Sequence, residues 1–171
     1  MKRVAIITSS DTLAGVRGDA VEDNRTREDI SGTKIMEIIE AFGYKKVAYQ
    51  ILPDEQEVLE RTMRELVDSG KVDLILTTGG TGFSNRDCTP EATRNVIERE
   101  TPGIPEAMRQ LSLGFTKRAM LSRAVAGIKG KTLIVNLPGS PKAVEECLTY
   151  ILSELDHGLE ILLGEASNCA R

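Results

Sequence analysis

The sequence predicts an α/β fold in which three layers, α/β/α, surround a mostly parallel sheet, with a short antiparallel strand pair near the C-terminal part. Three observations predict it. Strand-like and helix-like segments alternate through the first half of the 171 residues, two strand-like runs flank the turn "KGK", and the last long helix has a broad apolar face. Alternation at this spacing favours parallel strands joined by right-handed crossovers, with helices on both faces of the sheet.

The first half of the chain gives the order β-α-β-α-β. The run "RVAIITSS" predicts a buried strand, and "ISGTKIMEIIEAFGY" predicts a helix with Ser31 as its N-cap and Gly43 at its end. A second strand follows in "KVAYQILPD", a second helix in "EQEVLERTMRELVDSG" and a third strand in "VDLILTTGG". These elements predict the parallel part of the sheet.

The second half predicts three further helices and the antiparallel pair. A helix in "TPEATRNVIERE" has Thr89 as its cap before a first-turn Pro90, and a shorter helix follows in "TPGIPEAMRQLSLGF". Two neighbouring strands lie in "LSRAVAGIKGKTLIVNLPG". The last helix, "SPKAVEECLTYILSELDHGLEILLG", has apolar residues at three- and four-residue steps and must pack on the sheet. We expect one domain over residues 1–171, with a frayed tail at residues 165–171.

Composition narrows the classes of function. No apolar run approaches the ~18 residues that a membrane span needs. The net charge of -4, with three Phe, three Tyr and no Trp, argues against nucleic acid as a partner. The three cysteines, Cys88, Cys147 and Cys169, are far apart and lack CxxC spacing, so neither a disulfide framework nor a zinc site is indicated. We therefore expect a cytoplasmic protein without a membrane or nucleic-acid partner.

The loops that follow the strands are the places to search for a site, because ligands in open α/β sheets bind beyond the carboxyl ends of the strands. Four such loops carry hydroxyls, glycines or acids: "TSSDTLAG", "LPDEQ", "TTGGTGFSNRD" and "NLPGSPK". The third is glycine-rich, yet it matches neither the P-loop nor the GxGxxG pattern. Glycines and bare N–H groups in such a loop bind anions.

Three of these loops carry an aspartate, namely Asp11, Asp54 and Asp87. Two carboxylates at neighbouring strand ends beside a phosphate loop are what Mg²⁺ requires. Simpler interpretations remain open: a purely structural glycine turn, Asp54 as the N-cap of the next helix, and a surface ion pair between Arg86 and Asp87. Lys142 and Arg123 could steer phosphates, but each is also an ordinary solvated charge.

Taken together, "TSSDT", "ILPDEQ", "TTGGTGFSNRDCTPEAT" and "LSRAVAGIKGKTLIVNLPGSPKAV" resemble the molybdenum cofactor biosynthesis domain family, and most closely its molybdopterin adenylyltransferases. The resemblance covers nearly the whole chain, with several motifs in the expected order. It implies transfer of AMP from Mg-ATP to the molybdopterin phosphate with release of pyrophosphate. It also implies a homotrimer, with the downstream metal-insertion protein as a further partner.

The resemblance also assigns residues. It makes Asp87 and Asp54 catalytic and gives both to the metal. It assigns the binding of the pterin and the nucleotide phosphates to a larger set: Ser9, Ser10, Asp11, Thr78, Gly79, Gly80, Thr81, Gly82, Asn136, Gly139, Ser140 and Lys142. Two features depart from the family pattern. Cys88 stands where a small aliphatic residue is more usual, and residues 13–29 form an acidic insert that we interpret as a lid or a solvated loop.

Three other functions remain as alternatives. A protein of the same fold could bind molybdopterin or assist assembly without transferring adenylate, although the two carboxylates argue against this. The related metal-insertion domain usually belongs to a longer multidomain chain, for which 171 residues leave no room. A structural or interaction module would use the loops only as turns, and neither ATP nor pterin would then change its melting temperature.

Overall fold

The computed structural model describes residues 1–15 and 28–165. Within these residues the chain forms six strands: β1 (Arg3–Ser9), β2 (Lys45–Leu52), β3 (Leu74–Thr78), β4 (Arg99–Glu100), β5 (Ala126–Lys129) and β6 (Thr132–Leu137). Five α-helices accompany them: α1 (Ile30–Ala41), α2 (Gln56–Asp68), α3 (Thr89–Val96), α4 (Gly103–Leu113) and α5 (Pro141–Leu163). A short 3₁₀ helix lies at Lys117–Leu121.

The strands form one mixed sheet in the order β2-β1-β3-β6-β5-β4. The pairs β2-β1, β1-β3 and β3-β6 are parallel, whereas β6-β5 and β5-β4 are antiparallel. In the parallel part Ile6 of β1 lies opposite Tyr49 of β2 and Leu76 of β3. The predicted sheet, mostly parallel with an antiparallel part near the C-terminal end, is confirmed.

Helices cover both faces of the sheet, so the three layers are confirmed as well. Successive strand residues point to opposite faces. Accordingly Val4 and Ile6 of β1 pack in the cluster that α1, α4 and α5 cover, while Ala5 and Ile7 pack in the cluster that α2 and α3 cover. Strands β1, β3 and β6 are buried on both sides, which explains why their sequences are nearly continuous apolar runs.

Two helix caps differ from the sequence prediction. We predicted Ser31 as the N-cap of α1, but the cap is Asp29, whose carboxylate accepts from the backbone N–H of Gly32. A carboxylate reaches that N–H as well as a hydroxyl does, and the Ser31 hydroxyl instead donates to the carbonyl of Gly139 at 2.8 Å. Thr89 is the first residue of α3 and not its cap, a position that Cys88 takes.

Helix α3 also ends earlier than predicted. The prediction extended it through Glu100, whereas it stops at Val96 and Ile97 adopts an extended conformation. Ile97 then packs on the cluster beneath α2 and α3. The chain continues as β4, in which Arg99 and Glu100 pair with β5. The packing of the partly buried Ile97 and the pairing of a two-residue strand outweigh the helical pattern of "NVIERE". Sequence periodicity alone could not show this.

Other expectations concern the ends of the chain and the cysteines. Glu165, the first residue of the predicted frayed tail, pairs with Lys2, and residues 166–171 lie outside the described residues. Residues 16–27 of the acidic insert and Cys169 also lie outside them. Cys88 and Cys147 are free thiols. In the described part of the chain, no helix is long and apolar enough to cross a membrane.

Candidate active site

The four strand-end loops meet at the carboxyl edge of the parallel strands. The loop after β1 contacts the loop after β2, since the Ser9 hydroxyl donates to Asp54 Oδ1 at 2.6 Å. The end of β3 contacts the loop after β6, since the hydroxyl of Thr78 donates to the carbonyl of Pro138 at 2.6 Å. The predicted convergence of these loops follows from the parallel order of β2, β1, β3 and β6.

One side of this edge is an aspartate cluster formed by Ser9, Ser10, Asp11 and Asp54. The backbone N–H of Asp11 donates to Asp54 Oδ2 at 2.9 Å, and the backbone N–H of Asp54 donates to Asp11 Oδ1, also at 2.9 Å. The Ser10 hydroxyl accepts from the backbone N–H of Leu13 at 3.2 Å. The reciprocal bonds lock the two loops together and fix both carboxylates.

The other side is the glycine loop, residues 79–88. Gly79 and Gly80 have φ of 88° and 67°, values that residues with a Cβ rarely adopt. A Cβ on Gly79 would lie 2.4 Å from the carbonyl oxygen of Ser9, and one on Gly80 would lie 2.4 Å from Thr89 Oγ1. Both positions therefore require glycine, and the loop approaches the aspartate cluster through bare backbone.

Asp87 is held by its own loop. Its backbone N–H donates to the carbonyl of Ser84 at 3.0 Å, and its Oδ2 accepts from the backbone N–H of Ser84 at 3.0 Å. The loop is tight across this turn, because a Cβ on Gly82 would lie 2.9 Å from Asp87 Oδ2.

Two arginines tie the loops together. Arg86 binds both oxygens of the buried Asp11, with Nε to Oδ2 at 2.9 Å and Nη2 to Oδ1 at 3.1 Å. The surface pair between Arg86 and Asp87 that we kept as an alternative is therefore wrong. Arg123 pairs with Glu91 in the first turn of α3 and also binds carbonyl oxygens of the glycine loop. Arg123 is therefore not an ordinary solvated charge.

The carboxylates of the site differ in whether an arginine neutralises them. In the part of the chain that the structure describes, Arg86 neutralises Asp11 and Arg123 neutralises Glu91, while neither Asp54 nor Asp87 takes part in an ion pair. Burial raises the pKa of the Cys88 thiol to about 11, and the negative charges of Asp54, Glu91 and Asp87 add to this rise. The backbone of Gly79 and Gly80 approaches Ser9, whose hydroxyl binds Asp54, so the glycine loop that carries Asp87 lies against the loops that hold Asp54.

A family model for a probable molybdopterin binding domain matches residues 5–157. The chain belongs to this molybdopterin-binding domain family. The match includes every site residue named above, so the resemblance that the motifs indicated is confirmed at the level of the family.

Individual family members are similar over different lengths. The molybdopterin adenylyltransferase of Helicobacter pylori strain J99 is 40% identical over 139 residues, which cover 80% of this chain and 79% of that protein. The molybdopterin adenylyltransferase of Haemophilus influenzae is 54% identical over 99 residues, covering 58% of this chain and 50% of that protein. The crystal structure of the molybdopterin biosynthesis enzyme MoaB from Thermus thermophilus has a TM-score of 0.84 at 44% identity, covering 96% of this chain and 98% of that one.

The residues at the end of β6 and in the loop after it, which the molybdopterin-binding family pattern assigned to the site, differ in their exposure. Asn136 is fully buried, and its amide is satisfied by Val125, Thr77 and Thr93. It therefore braces β6 against its neighbours from within the core. Gly139 and Ser140 are exposed at the site, Ser140 as the N-cap of α5, while the Lys142 side chain is 85% exposed and 4.0 Å from Glu146.

A cavity of about 290 Å³ opens beside the glycine loop of this molybdopterin-binding domain. Thr81 and Gly82 form one wall and Pro138 and Gly139 another. The rest of the lining comes from α4, the start of α5 and residues 115–124, and it is mostly apolar, with Arg109, Ser112 and Thr116 among its polar members. The sequence search for polar strand-end loops missed this wall because α4 follows no parallel strand.

Asp29 is a further residue that the search missed. Its Oδ2 accepts from the hydroxyls of Thr8 on β1 and Tyr49 on β2, so the carboxylate links two strands to the start of α1. Burial raises the pKa of Tyr49 to about 12, with a further contribution from the hydrogen bond to Asp29. This hub fixes the N-terminus of α1, from which Ser31 reaches the carbonyl of Gly139 in the site.

Proposed function

We propose that this protein is a molybdopterin adenylyltransferase, which transfers AMP from Mg-ATP to the molybdopterin phosphate and releases pyrophosphate in molybdenum cofactor biosynthesis. One observation carries the proposal: the glycine loop that carries Asp87 approaches Ser9, the residue that binds Asp54, and neither aspartate is part of an ion pair within the described residues. The relatives named molybdopterin adenylyltransferase support it.

The donor set fits Mg²⁺. This ion is bound by one or two carboxylates and completes its shell with phosphate oxygens and water, so it needs no larger cluster. Each oxygen of Asp54 accepts one hydrogen bond, from Ser9 or from Asp11, which leaves a lone pair on each. Asp87 receives the N–H of Ser84 on Oδ2. Asp54 and Asp87 would hold Mg²⁺, which would neutralise phosphate charge there.

The reaction joins two anions that repel each other. An oxygen of the molybdopterin phosphate attacks the α-phosphorus of ATP, the bond from that phosphorus to the bridging oxygen breaks, and pyrophosphate leaves. Catalysis of such a transfer is mostly positioning and charge stabilisation. Gly79, Gly80 and Gly82 let the backbone come close to phosphate oxygens, and Thr81 lies between them.

The cavity beside the loop suits the pterin. Its lining is mostly apolar with a few polar groups, as in pockets for small organic ligands. Thr81 and Gly82 belong both to this cavity and to the glycine loop. A pterin held there would have its phosphate next to the loop, and exposed Gly139 and Ser140 would border the same opening.

The direct test is product analysis. The protein is incubated with molybdopterin, Mg²⁺ and ATP, and the pterin is examined by mass spectrometry while pyrophosphate is assayed. We expect adenylylated molybdopterin and an equal amount of pyrophosphate, both lost when Mg²⁺ is chelated. A protein that binds molybdopterin and ATP without forming this product would be the non-catalytic alternative. An interaction module would bind neither ligand, whereas a ligand at about 100 times its Kd should stabilise the fold by ~2.7 kcal/mol.

The wider setting of the protein is part of the same proposal. We propose a homotrimer, since small domains commonly close cyclic interfaces, and light scattering at micromolar concentration that gives a monomer would contradict it. We further propose that residues 1–171 form one domain that works in the cytoplasm and passes its product to a metal-insertion protein.

A further inference from the structure

We infer that Arg123 is a positioning residue that sets the shape of the glycine loop and thereby aims its N–H groups and Asp87 at the substrate phosphates. The inference rests on the proposed function and deepens it. Arg123 lies 36 residues after Asp87 in sequence, just before β5, and its side chain is 31% exposed. An arginine whose task was to contact phosphate would direct its donors to the ligand, whereas these donors are bound to protein.

The contacts of Arg123 span the whole loop. Its backbone N–H donates to the carbonyl of Thr81 at 2.9 Å, its Nε to the carbonyl of Gly82 at 2.7 Å and its Nη2 to the carbonyl of Asp87 at 2.9 Å. Its Nη1 pairs with Glu91. One residue therefore joins both ends of the turn that carries Asp87 to the first turn of α3.

These contacts orient the peptide groups of the loop. No peptide bond in the described residues is cis, and in a trans peptide the N–H points opposite to the carbonyl. When Arg123 draws three carbonyls towards itself, the N–H groups of the following residues, Gly82, Phe83 and Cys88, point to the other side. Within the described chain these three N–H groups have no hydrogen-bond partner. They form a set of donors of the kind that binds anions.

The backbone on either side of Arg123 is bound by a second arginine. Arg109 of α4 donates through Nη1 to the carbonyl of Ala124 at 3.1 Å and to that of Ser122 at 3.4 Å, on either side of Arg123. Arg109 also lines the cavity beside the loop. Helix α4 thus holds the backbone of Arg123 and also forms a wall of the cavity. The position of the glycine loop relative to the cavity is therefore fixed.

The chain offers a matched pair of variants. Arg123→Met and Glu91→Gln both abolish the ion pair, but only Arg123→Met removes the side-chain bonds to the carbonyls of Gly82 and Asp87. Arg123→Lys keeps the positive charge, but its single ammonium group can make only some of the hydrogen bonds that the arginine side chain makes to the carbonyls of Gly82 and Asp87 and to Glu91. Each variant is characterised by its melting temperature, by calorimetric titration with inorganic pyrophosphate, and by kcat and KM for adenylylation of molybdopterin.

We expect Arg123→Met to bind pyrophosphate about 10-fold more weakly and to lose about 100-fold in kcat, while KM for molybdopterin changes only a few-fold. Arg123→Lys should fall between Arg123→Met and the parent. Glu91→Gln should keep pyrophosphate affinity and kcat within about 3-fold of the parent, because the loop carbonyls remain bound.

The inference is overturned if Arg123→Met and Glu91→Gln behave alike, if the loss in Arg123→Met only follows its folded fraction, or if the parent binds no pyrophosphate. Another result would distinguish a failure of the proposed function from a failure of this inference. If the parent forms no adenylylated pterin, yet binds pyrophosphate in a way that Arg123→Met weakens and Glu91→Gln does not, the proposed function fails while the role of Arg123 stands.

Discussion

Asp54 and Asp87 lie on opposite sides of the site, in the aspartate cluster and the glycine loop, and the chain holds them differently. Both oxygens of Asp54 are bound across the gap between two strands, by the hydroxyl of Ser9 and the N–H of Asp11. The carboxylate of Asp87 is bound within its own turn, by the N–H of Ser84. The bonds to Asp54 join two loops, whereas the bond to Asp87 only shapes its own loop. We therefore expect substitutions of Asp54 to lower the stability of the fold more than substitutions of Asp87, whose effect should fall mainly on turnover.

The largest effect we expect is on turnover in Asp87→Asn. The amide oxygen can still accept from Ser84, so the turn keeps its shape, but the negative charge at the reacting phosphates is lost. Losing one such interaction at a preorganised site costs about 3 to 4 kcal/mol in the barrier, or roughly 10² to 10³ in rate. The rate of adenylylation, molybdopterin affinity and melting temperature are measured together. Near-normal turnover would leave Asp87 without a catalytic role, whereas affinity should stay within a few-fold.

The second effect concerns the place where the two regions touch. Gly79→Ala puts a Cβ 2.4 Å from the Ser9 carbonyl oxygen at φ of 88°, where neither backbone can move freely. We expect the free energy of unfolding to fall by about 2 to 4 kcal/mol from strain and overpacking. Gly139→Ala is the control, because its Cβ would meet only the backbone of Gly79, with the Cα at 3.6 Å, an ordinary contact. Equal denaturation midpoints for the two variants would refute the close approach.

The third effect compares the carboxylates by truncation. Asp54→Ala leaves the N–H of the buried Asp11 and the hydroxyl of Ser9 without their acceptor, which should cost about 1 to 3 kcal/mol of unfolding free energy. Asp87→Ala uncovers the N–H of Ser84, which is exposed and can bind water, so we expect a loss below about 1 kcal/mol. Urea unfolding measures both. The reverse order of stability would show that the two regions are held in some other way.

The smallest effect is a dependence of stability on pH. Burial of Glu91 opposes its ionisation, but the hydrogen bond from Arg123 outweighs this and lowers the pKa of Glu91 below the ordinary value of 4.5. Because the folded pKa is the lower one, the contribution is present above pH 4.5 and is lost as the pH falls through the folded pKa. The pair is partly exposed, so we expect less than about 1 kcal/mol. Glu91→Gln should destabilise the protein at about pH 7, and this cost should shrink as the pH falls below 4.5; a cost that does not change with pH would contradict this sign.

Local patterns in the sequence were enough to predict the sheet and the edge of it at which the site lies. Apolar runs such as "VDLILTT" are long because the parallel strands are buried on both faces, and the polar residues after them must then meet at one edge. The prediction of Asp54, Asp87 and the glycines as site residues depended on this edge and on the family motifs.

Contacts between distant residues were not accessible in the same way. Arg86 lies 75 residues from its partner Asp11, and Arg123 lies 41 residues from Gly82, so no local pattern pairs them. The interior position of Asn136 depends on a bond to the backbone of Val125 across an antiparallel pair. The two-residue strand β4 is too short to have a period. "LSR" before β5 was the one available signal for Arg123, and it does not say which way the side chain points.

We propose that Asp54 and Asp87 act as a unit on one cation, and a double-mutant cycle on the adenylylation rate examines this cooperation. Asp54→Asn, Asp87→Asn and the double variant are compared with the parent at saturating Mg-ATP and molybdopterin. Residues that act as a unit are strongly non-additive. We expect the double variant to be about as slow as the slower single variant. Losses that multiply in the double variant would contradict it, because the two carboxylates would then contribute independently.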